Sequence, residues 1–353
     1  VTRGSGLQVT PLGADSGPIR PADGAGIRAK GRNVASGGGS RLPGPWGLMQ
    51  GGGVAEIHDH GGVGAGLELP EGYPPVPEPL TLGPAGSGVG GVVDDHTHLD
   101  HLDDATVDRL LAAAAAAGVP RAVQIGCDAA ARTWTDRAVR RWPQLLGGVA
   151  VHPNEAPELA RAGQLDAALA EVERLVTGND RIRVVGETGL DSFRTDWDDD
   201  DARRAQLDSF AAHIAIAKRT GRTLQIHDRD AHTEVLDVLR AEGAPDRVVF
   251  HCFSGDAAMA KVCADNGWYL SIAGTVTFKN NHVLREAVRA VPPVILQVET
   301  DAPYLTPVPY RGRPNASHLV PLTVRVIAEE LRHDVSELVG ILGLSSEYLY
   351  GQW

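Results

Sequence analysis

From residue 91 onward, short apolar runs alternate with longer amphipathic stretches. The runs are Gly91–Val93, Arg121–Ile125, Gly148–Val151, Ile182–Val185, Thr223–Ile226, Arg247–Phe250, Trp268–Ile272 and Val294–Val298. Their length and β-branched content predict buried strands. Between them lie patterns such as ATVDRLLAAAAAAG (Ala105–Gly118) and RRAQLDSFAAHIAIAKRTG (Arg203–Gly221), each closed by a glycine that suits a helix stop. Strands that alternate with helices predict a parallel sheet. Eight such runs within about 260 residues fit an α/β fold of the (β/α)8 TIM-barrel type. An open doubly wound sheet would need a glycine-rich phosphate turn after its first strand, and that turn is absent.

Residues 1–90 have a different texture. They hold 24 of the 42 glycines and 11 of the 23 prolines. Such a segment buries too little apolar surface to offset its ordering entropy. The expectation is a disordered low-complexity leader over 1–90 and one barrel domain over 91–353. EGYPPVPEPL (Glu71–Leu80) reads as extended, proline-stiffened chain. GSGVGG (Gly86–Gly91) matches G-x-G-x-x-G by letter, but it precedes a strand and opens no helix, so a nucleotide site is not expected. The chain starts with Val. The leader is read as a disordered extension or, in part, as a consequence of where translation was taken to begin, and it is assigned no chemistry.

The formal charge of −12 excludes a global attraction to nucleic acid, so any phosphate-handling site must be local. Three cysteines, Cys127, Cys252 and Cys263, form no CxxC pair. That argues against a disulfide framework and a thiolate zinc site, and it fits a reducing cytosol. No apolar run has the length of a membrane span, and the N-terminus lacks a signal-peptide pattern. A cytoplasmic protein with no membrane association and no obligate protein partner is expected.

The chemistry concentrates where the runs end. In VVDDHTHLDHL (Val92–Leu102), His96 and His98 are two residues apart, a spacing that puts both on one face of a strand. A second such pair, His58 and His60, lies in glycine-rich sequence with no strand before it and is read as unstructured. The third run ends in His152, and the fourth is followed by Glu187. His227 follows the fifth, His251 the sixth and Asp301 the eighth. Only the second and seventh runs end without a metal-competent side chain. A lone strand-end histidine is more often a hydrogen-bonded structural residue, and a lone carboxylate more often a helix cap. Independent structural uses would not gather at the end of the barrel where catalytic groups stand. Even without His152, four histidines and two carboxylates exceed the shell of a single zinc ion, and two divalent ions bridged by a carboxylate fit better. A mixed imidazole and carboxylate set leaves Mg, Mn and Zn all open.

These residues resemble a known family. DDHTHLD, VVGETGLD, IHDRDA, HCFSG, GTVTFKN and ETDAPYLTPVPYRGRPN together are similar to the TatD family of metal-dependent hydrolases, often described as deoxyribonucleases. The resemblance covers nearly all of the chain from Val92 on. It implies an amidohydrolase-type barrel with two divalent metals. His96, His98 and Asp301 would hold the first ion, His227 and His251 the second, and Glu187 would bridge them. Glu187 and Asp301 would be the catalytic carboxylates, Asp301 taking a proton from water. Three stretches depart from the family pattern. HPH is HPN here, with His152 kept and Asn154 in place of the second histidine. The stretch after GLD is the acidic SFRTDWDDDD. RNEP reads RPNAS at Arg313–Ser317.

Substrate contacts are expected from His152, Arg229, Lys279, Tyr304, Arg311 and Arg313. The cations would meet phosphates, and tyrosines can stack a terminal base. The leading expectation is a two-metal phosphodiesterase, a DNase with exonuclease action on single-stranded DNA ends. The alternative is hydrolysis of a small phosphoester, amide or lactone on the same barrel, since fold does not fix substrate. A metal-stabilised scaffold without activity would be marked by lost ligands, and none of the six is lost.

Overall fold

The computed structural model describes residues 67–81 and 91–353. The rest of the leader, with the His58 and His60 pair and most of GSGVGG, lies outside the described residues. Eight parallel strands form one sheet in sequential order: β1 Val93–Thr97, β2 Arg121–Gly126, β3 Leu145–Val149, β4 Ile182–Asp191, β5 Thr223–Arg229, β6 Val248–Phe250, β7 Tyr269–Ile272 and β8 Leu296–Val298. The described helices are α1 Asp104–Ala116, α2 Ala129–Arg141, α3 Ala156–Arg161, α4 Leu165–Gly178, α5 Asp200–Thr220, α6 His232–Glu242, α7 Ala257–Asp265, α8 His282–Arg289, α9 Val320–Leu331 and α10 Val335–Tyr350. This is the expected TIM barrel, and every apolar run overlaps a strand. The largest shift is in β4, which runs on past Val185 through Glu187 to Asp191; β1 begins two residues late and carries on through His96, and β3 begins three residues early.

Helix starts follow local chemistry. Asp103, Asp128, Asp199, Asp256 and Asp334 each accept backbone N–H groups of the helix they precede. Inside the barrel, Val93, Val123, Ile125, Leu146, Val184 and Val249 pack with Leu349 and Tyr350 of α10. A larger apolar layer lies between the strands and the surrounding helices. The first two acids of DDHTHLD serve the scaffold. Asp94 accepts from the backbone N–H and hydroxyl of Thr300 at 2.8 and 2.6 Å and from Ser317 Oγ at 2.7 Å. Asp95 accepts from Ser271 Oγ at 2.5 Å and from the Tyr350 hydroxyl at 2.9 Å.

The seam between β1 and β8 is thin. It consists of the bridge between Thr97 and Ala302, the Asp94 bonds, and two backbone bonds: His98 N to Ala302 O at 2.9 Å and Asp301 N to His96 O at 3.0 Å.

Residues 67–81, expected to belong to the disordered leader, lie packed against the barrel domain. They contain no helix or strand, as proline-stiffened chain should not. Val76 and Leu80 are buried, Val76 beside Ala113 and Ala117 of α1, and Leu80 N donates to Ala117 O at 3.0 Å. Counting glycines over 90 residues hid a short segment rich in proline and anchored by two aliphatic side chains.

One buried histidine secures the end of β3. His213 of α5 donates from Nδ1 to Ser209 O at 2.7 Å, leaving Nε2 to accept from Val151 N at 3.1 Å. Burial pushes this imidazole from 6.5 down to about 4. Below pH 6.5 the unfolded chain takes up the proton first, so stability falls as pH falls, down to about the folded pKa. The expected contribution lost between pH 7 and pH 5 is on the order of 2 kcal/mol. Thermal melts of wild type and His213→Gln across that range test it: the variant should melt lower at pH 7 and show a flatter pH dependence.

Candidate metal centre

The strand ends converge. Groups of donor atoms able to hold a metal ion are His96, His98 and Asp301; His96, Glu187 and His251; and His152, Glu187 and His227. Within each group the atoms lie within 4.8 Å of one another. Glu187 is the hub. Its Oε2 is 2.5 Å from His251 Nε2, 3.4 Å from His227 Nδ1 and 3.7 Å from His96 Nε2, and its Oε1 is 3.3 Å from His152 Nε2. Asp301 Oδ1 stands 3.6 Å from His98 Nε2. The first expected set, His96, His98 and Asp301, therefore forms one group. His227 and His251 meet through Glu187, and His152, expected as a substrate contact, reaches the same carboxylate as they do.

Local backbone explains the placement. Glu187 lies in VVGETGLD on β4, the longest strand. A side chain at Gly186 would strike Gln225 within 2.6 Å, and one at Gly189, with φ of +141°, would lie 2.0 Å from His227 O. Only glycine lets β4 pass so close to β5 at the level of the site. Asp230, Cys252 and Asp301, just past β5, β6 and β8, have φ of +56°, +44° and +53°. Left-handed backbone at non-glycine residues costs about 1 kcal/mol or more each and gathers where side chains must be aimed.

Outer hydrogen bonds fix how the rings face. Gln225 Nε2 donates to Asp95 O at 2.8 Å, which turns Gln225 Oε1 toward His96 Nδ1, 2.8 Å away. His96 must then carry its proton on Nδ1. His98 Nδ1 likewise donates to Ile125 O at 3.0 Å. In its neutral form each ring keeps its lone pair on Nε2, and the two Nε2 atoms face each other at 3.2 Å. Two acceptors that close repel unless a cation lies between or beside them. His251 Nδ1 meets Glu299 Oε1 at 3.3 Å, and His227 Nε2 meets Asp191 Oδ2 at 3.3 Å. Ligand histidines are held in this way, by carbonyl or carboxylate partners on the far nitrogen. The donor set fits divalent metal.

Charge is arranged accordingly. Burial, with His251 beside it, holds His96 well below its ordinary pKa, so it stays neutral. Burial would raise the Glu187 carboxyl, but His251 and His152 outweigh it and hold it well below the carboxylate range. Burial would lower His251, but Glu187 and Glu299 raise it well above. Asp301 is pushed up to about 7 by burial, against the pull of His251 and His98.

Several contributors escaped the sequence reading. At the end of the second strand, Cys127 Sγ is 3.6 Å from Glu187 Oε1, but burial and that carboxylate push the thiol well above its ordinary pKa, and it joins none of the donor groups. Asn154, the departure in HPN, donates to Asp191 Oδ2 at 2.9 Å and accepts from Thr195 Oγ1 at 3.2 Å. It braces the carboxylate that orients His227. Thr195 belongs to the acidic stretch SFRTDWDDDD, so that stretch supplies a support for the site. Gln225 lies within an apolar run and Glu299 directly after one, and neither was assigned a role from sequence.

The expected substrate residues stand at the end of β5, in the case of Arg229, and on the stretches that follow strands β3, β7 and β8. The Arg229 guanidinium lies 4.1 Å over the Phe193 ring, and that of Arg311 lies 3.7 Å over Phe278. Lys279 is exposed after a 3-10 turn at Gly274–Thr277, and Tyr304 is exposed beyond β8. Arg313 gives two guanidinium nitrogens to backbone carbonyls, Gly72 O at 3.0 Å and Tyr73 O at 2.6 Å.

A TIM barrel whose strand ends gather imidazoles around a shared carboxylate defines a metal-dependent barrel hydrolase. Residues 93–351 match the model of the TatD-related DNase family. The chain is 47% identical over 264 residues to the uncharacterized metal-dependent hydrolase TatD of Mycobacterium tuberculosis, an alignment covering 74% of this chain and 98% of the relative. It is 35% identical over 243 residues to the uncharacterized metal-dependent hydrolase YcfH of Escherichia coli, covering 67% and 86%. The solved structure of YjjV, a TatD homologue from Escherichia coli, superposes with a TM-score of 0.66 at 24% identity, over 74% of this chain and 98% of that one. The chain belongs to the TatD family of metal-dependent hydrolases. Among the described residues no helix is long and apolar enough to cross a membrane.

Replacing Gln225 by Leu frees the His96 ring and leaves Asp95 O without its donor. Metal affinity, read by chelator competition, should fall about 10- to 100-fold. Unchanged affinity would mean that the His96 tautomer does not matter for binding.

Proposed function

We propose that this protein hydrolyses phosphodiester bonds of DNA with two divalent ions, working from single-stranded ends. The observation that carries the reading is the facing pair of Nε2 lone pairs on His96 and His98 beside a carboxylate, Glu187, shared by three further histidines. His96, His98 and Asp301 would hold one ion, His227 with His251 or His152 the other, and Glu187 would stand between them. Bound divalent ions supply Lewis acidity toward phosphoryl oxygen and acidify water to near neutral pH. Asp301 would orient a water at that site and take its proton, as a carboxylate at the rim can. Glu187 stays ionised among its histidines and holds the two halves of the site in register.

The cations of Arg229, Lys279 and Arg311 favour an anionic substrate, and Phe193, Phe278 and Tyr304 offer faces for bases. A net charge of −12 with cations grouped at the rim favours strand ends over a broad duplex contact. The free cysteines fit a cytosolic setting.

The test is to strip the protein with chelator, restore Mg²⁺, Mn²⁺ or Zn²⁺ separately, and follow end-labelled single-stranded DNA. Stepwise shortening is expected with at least one ion, and Glu187→Ala should lower the rate by at least about a hundredfold. Arg311→Glu should cut DNA hydrolysis about tenfold or more while sparing a small phosphodiester. Equal cleavage of circular and linear strands would overturn the end preference. Metal binding without cleavage of any DNA would move the substrate to a small ester or amide.

A further inference from the structure

The segment 67–81 lies outside the residues matched by the family model, yet it reaches the loop that carries Asp301. Three consecutive carbonyls do this. Arg313 takes Gly72 O and Tyr73 O, and His318 Nε2 donates to Pro74 O at 2.9 Å. Arg313 and His318 both belong to the connection from β8 to α9. Farther along, Arg325 of α9 donates to Glu78 O at 2.7 Å and Pro79 O at 3.2 Å. The aliphatic anchors Val76 and Leu80 sit on α1 and its end, and α1 itself packs against the Ser317–Leu319 turn of that connection.

From Arg313 and His318 a continuous set of bonds leads to the backbone beside Asp301. Thr306 Oγ1 donates to Arg313 O at 2.6 Å. Asn315 Nδ2 donates to Thr300 O at 2.9 Å and to Tyr304 O at 2.6 Å. Ser317, next to His318, shares the Asp94 carboxylate with Thr300. Asp301 itself is held in left-handed backbone, a conformation that persists only where the surroundings impose it.

We propose that residues 67–81 are a positioning element of the active site: three of their carbonyls hold Arg313 and His318, and so fix the β8–α9 connection around Asp301 and tune the hold on substrate. The effect on substrate rests on the phosphodiesterase reading above; the fixing of the connection does not. Arg313 is a positioning residue here, acting through the loop and not on a phosphate.

The experiment uses the metal-loaded full chain and three variants. Val76→Asp places an unpaired carboxylate against Ala113 and Ala117 and should expel the segment from its α1 side while leaving Arg313 and His318 themselves unaltered. Arg313→Gln removes the grip from the other side. Arg325→Ala loosens the segment more gently and serves if the first variant does not fold. Amide hydrogen exchange over residues 302–317 should quicken about tenfold in Val76→Asp and Arg313→Gln, and less in Arg325→Ala. KM for a single-stranded oligonucleotide should rise about fivefold in Val76→Asp with kcat changed less than twofold. Wild-type exchange in Val76→Asp, once protease has shown the segment released, overturns the proposal. So does a KM rise confined to Arg313→Gln, which would make Arg313 a direct substrate contact. If the wild-type protein cleaves no oligonucleotide, the function reading fails and the exchange rates alone decide this one.

Discussion

Two imidazole lone pairs held face to face are the constraint on which the rest of the molecule depends. They are not left to chance. The Asp95 carbonyl orients the Gln225 amide, which sets the proton on His96, while the Ile125 carbonyl sets the proton on His98. Both carbonyls belong to barrel strands, so the scaffold itself decides that two acceptors meet. An arrangement this unfavourable in isolation makes sense only as a receptor for positive charge. Glu187 answers the same need from the other side, and Glu299 and Asp191 extend it outward through His251 and His227.

Much of this was legible in the sequence because barrel strands place chemistry at their ends. His96, His98, His152, Glu187, His227, His251 and Asp301 each end or follow an apolar run, so pattern alone gathered them. The supports were illegible for the same reason. Gln225 and Glu299 sit within or beside strands, where a polar letter says nothing of its cross-barrel partner. Cys127 follows its run as the others do, but it was weighed only as a thiol and so was passed over. Asn154 looked like a loss measured against HPH. In the fold it is one member of a polar chain from Thr195 to Asp191, and its side chain braces the closing carboxylate of VVGETGLD, to which the sequence had attached no role.

The leader shows how averaging misleads. Taken over 90 residues, glycine dominates and a core cannot form. Taken over residues 67–81, prolines stiffen a short extended segment, so that little entropy opposes its docking on α1 and on the loop before α9. Its carbonyls, not its side chains, meet Arg313 and His318, and backbone carbonyls leave no signature in a sequence.

The seam between the first and last strands carries a consequence for assembly. The group of His96, His98 and Asp301 straddles it, two donors from one lip and one from the other, where little backbone pairing joins the lips. A divalent ion shared by those three donors would clasp the ring shut. Loading the metal and closing the barrel would then be a single equilibrium, in which metal concentration would draw the chain toward its finished shape. Donors some 200 positions apart in sequence meet only when the last strand has found the first. A half-folded chain has no half-active centre, and hydrolytic power arrives together with the completed fold.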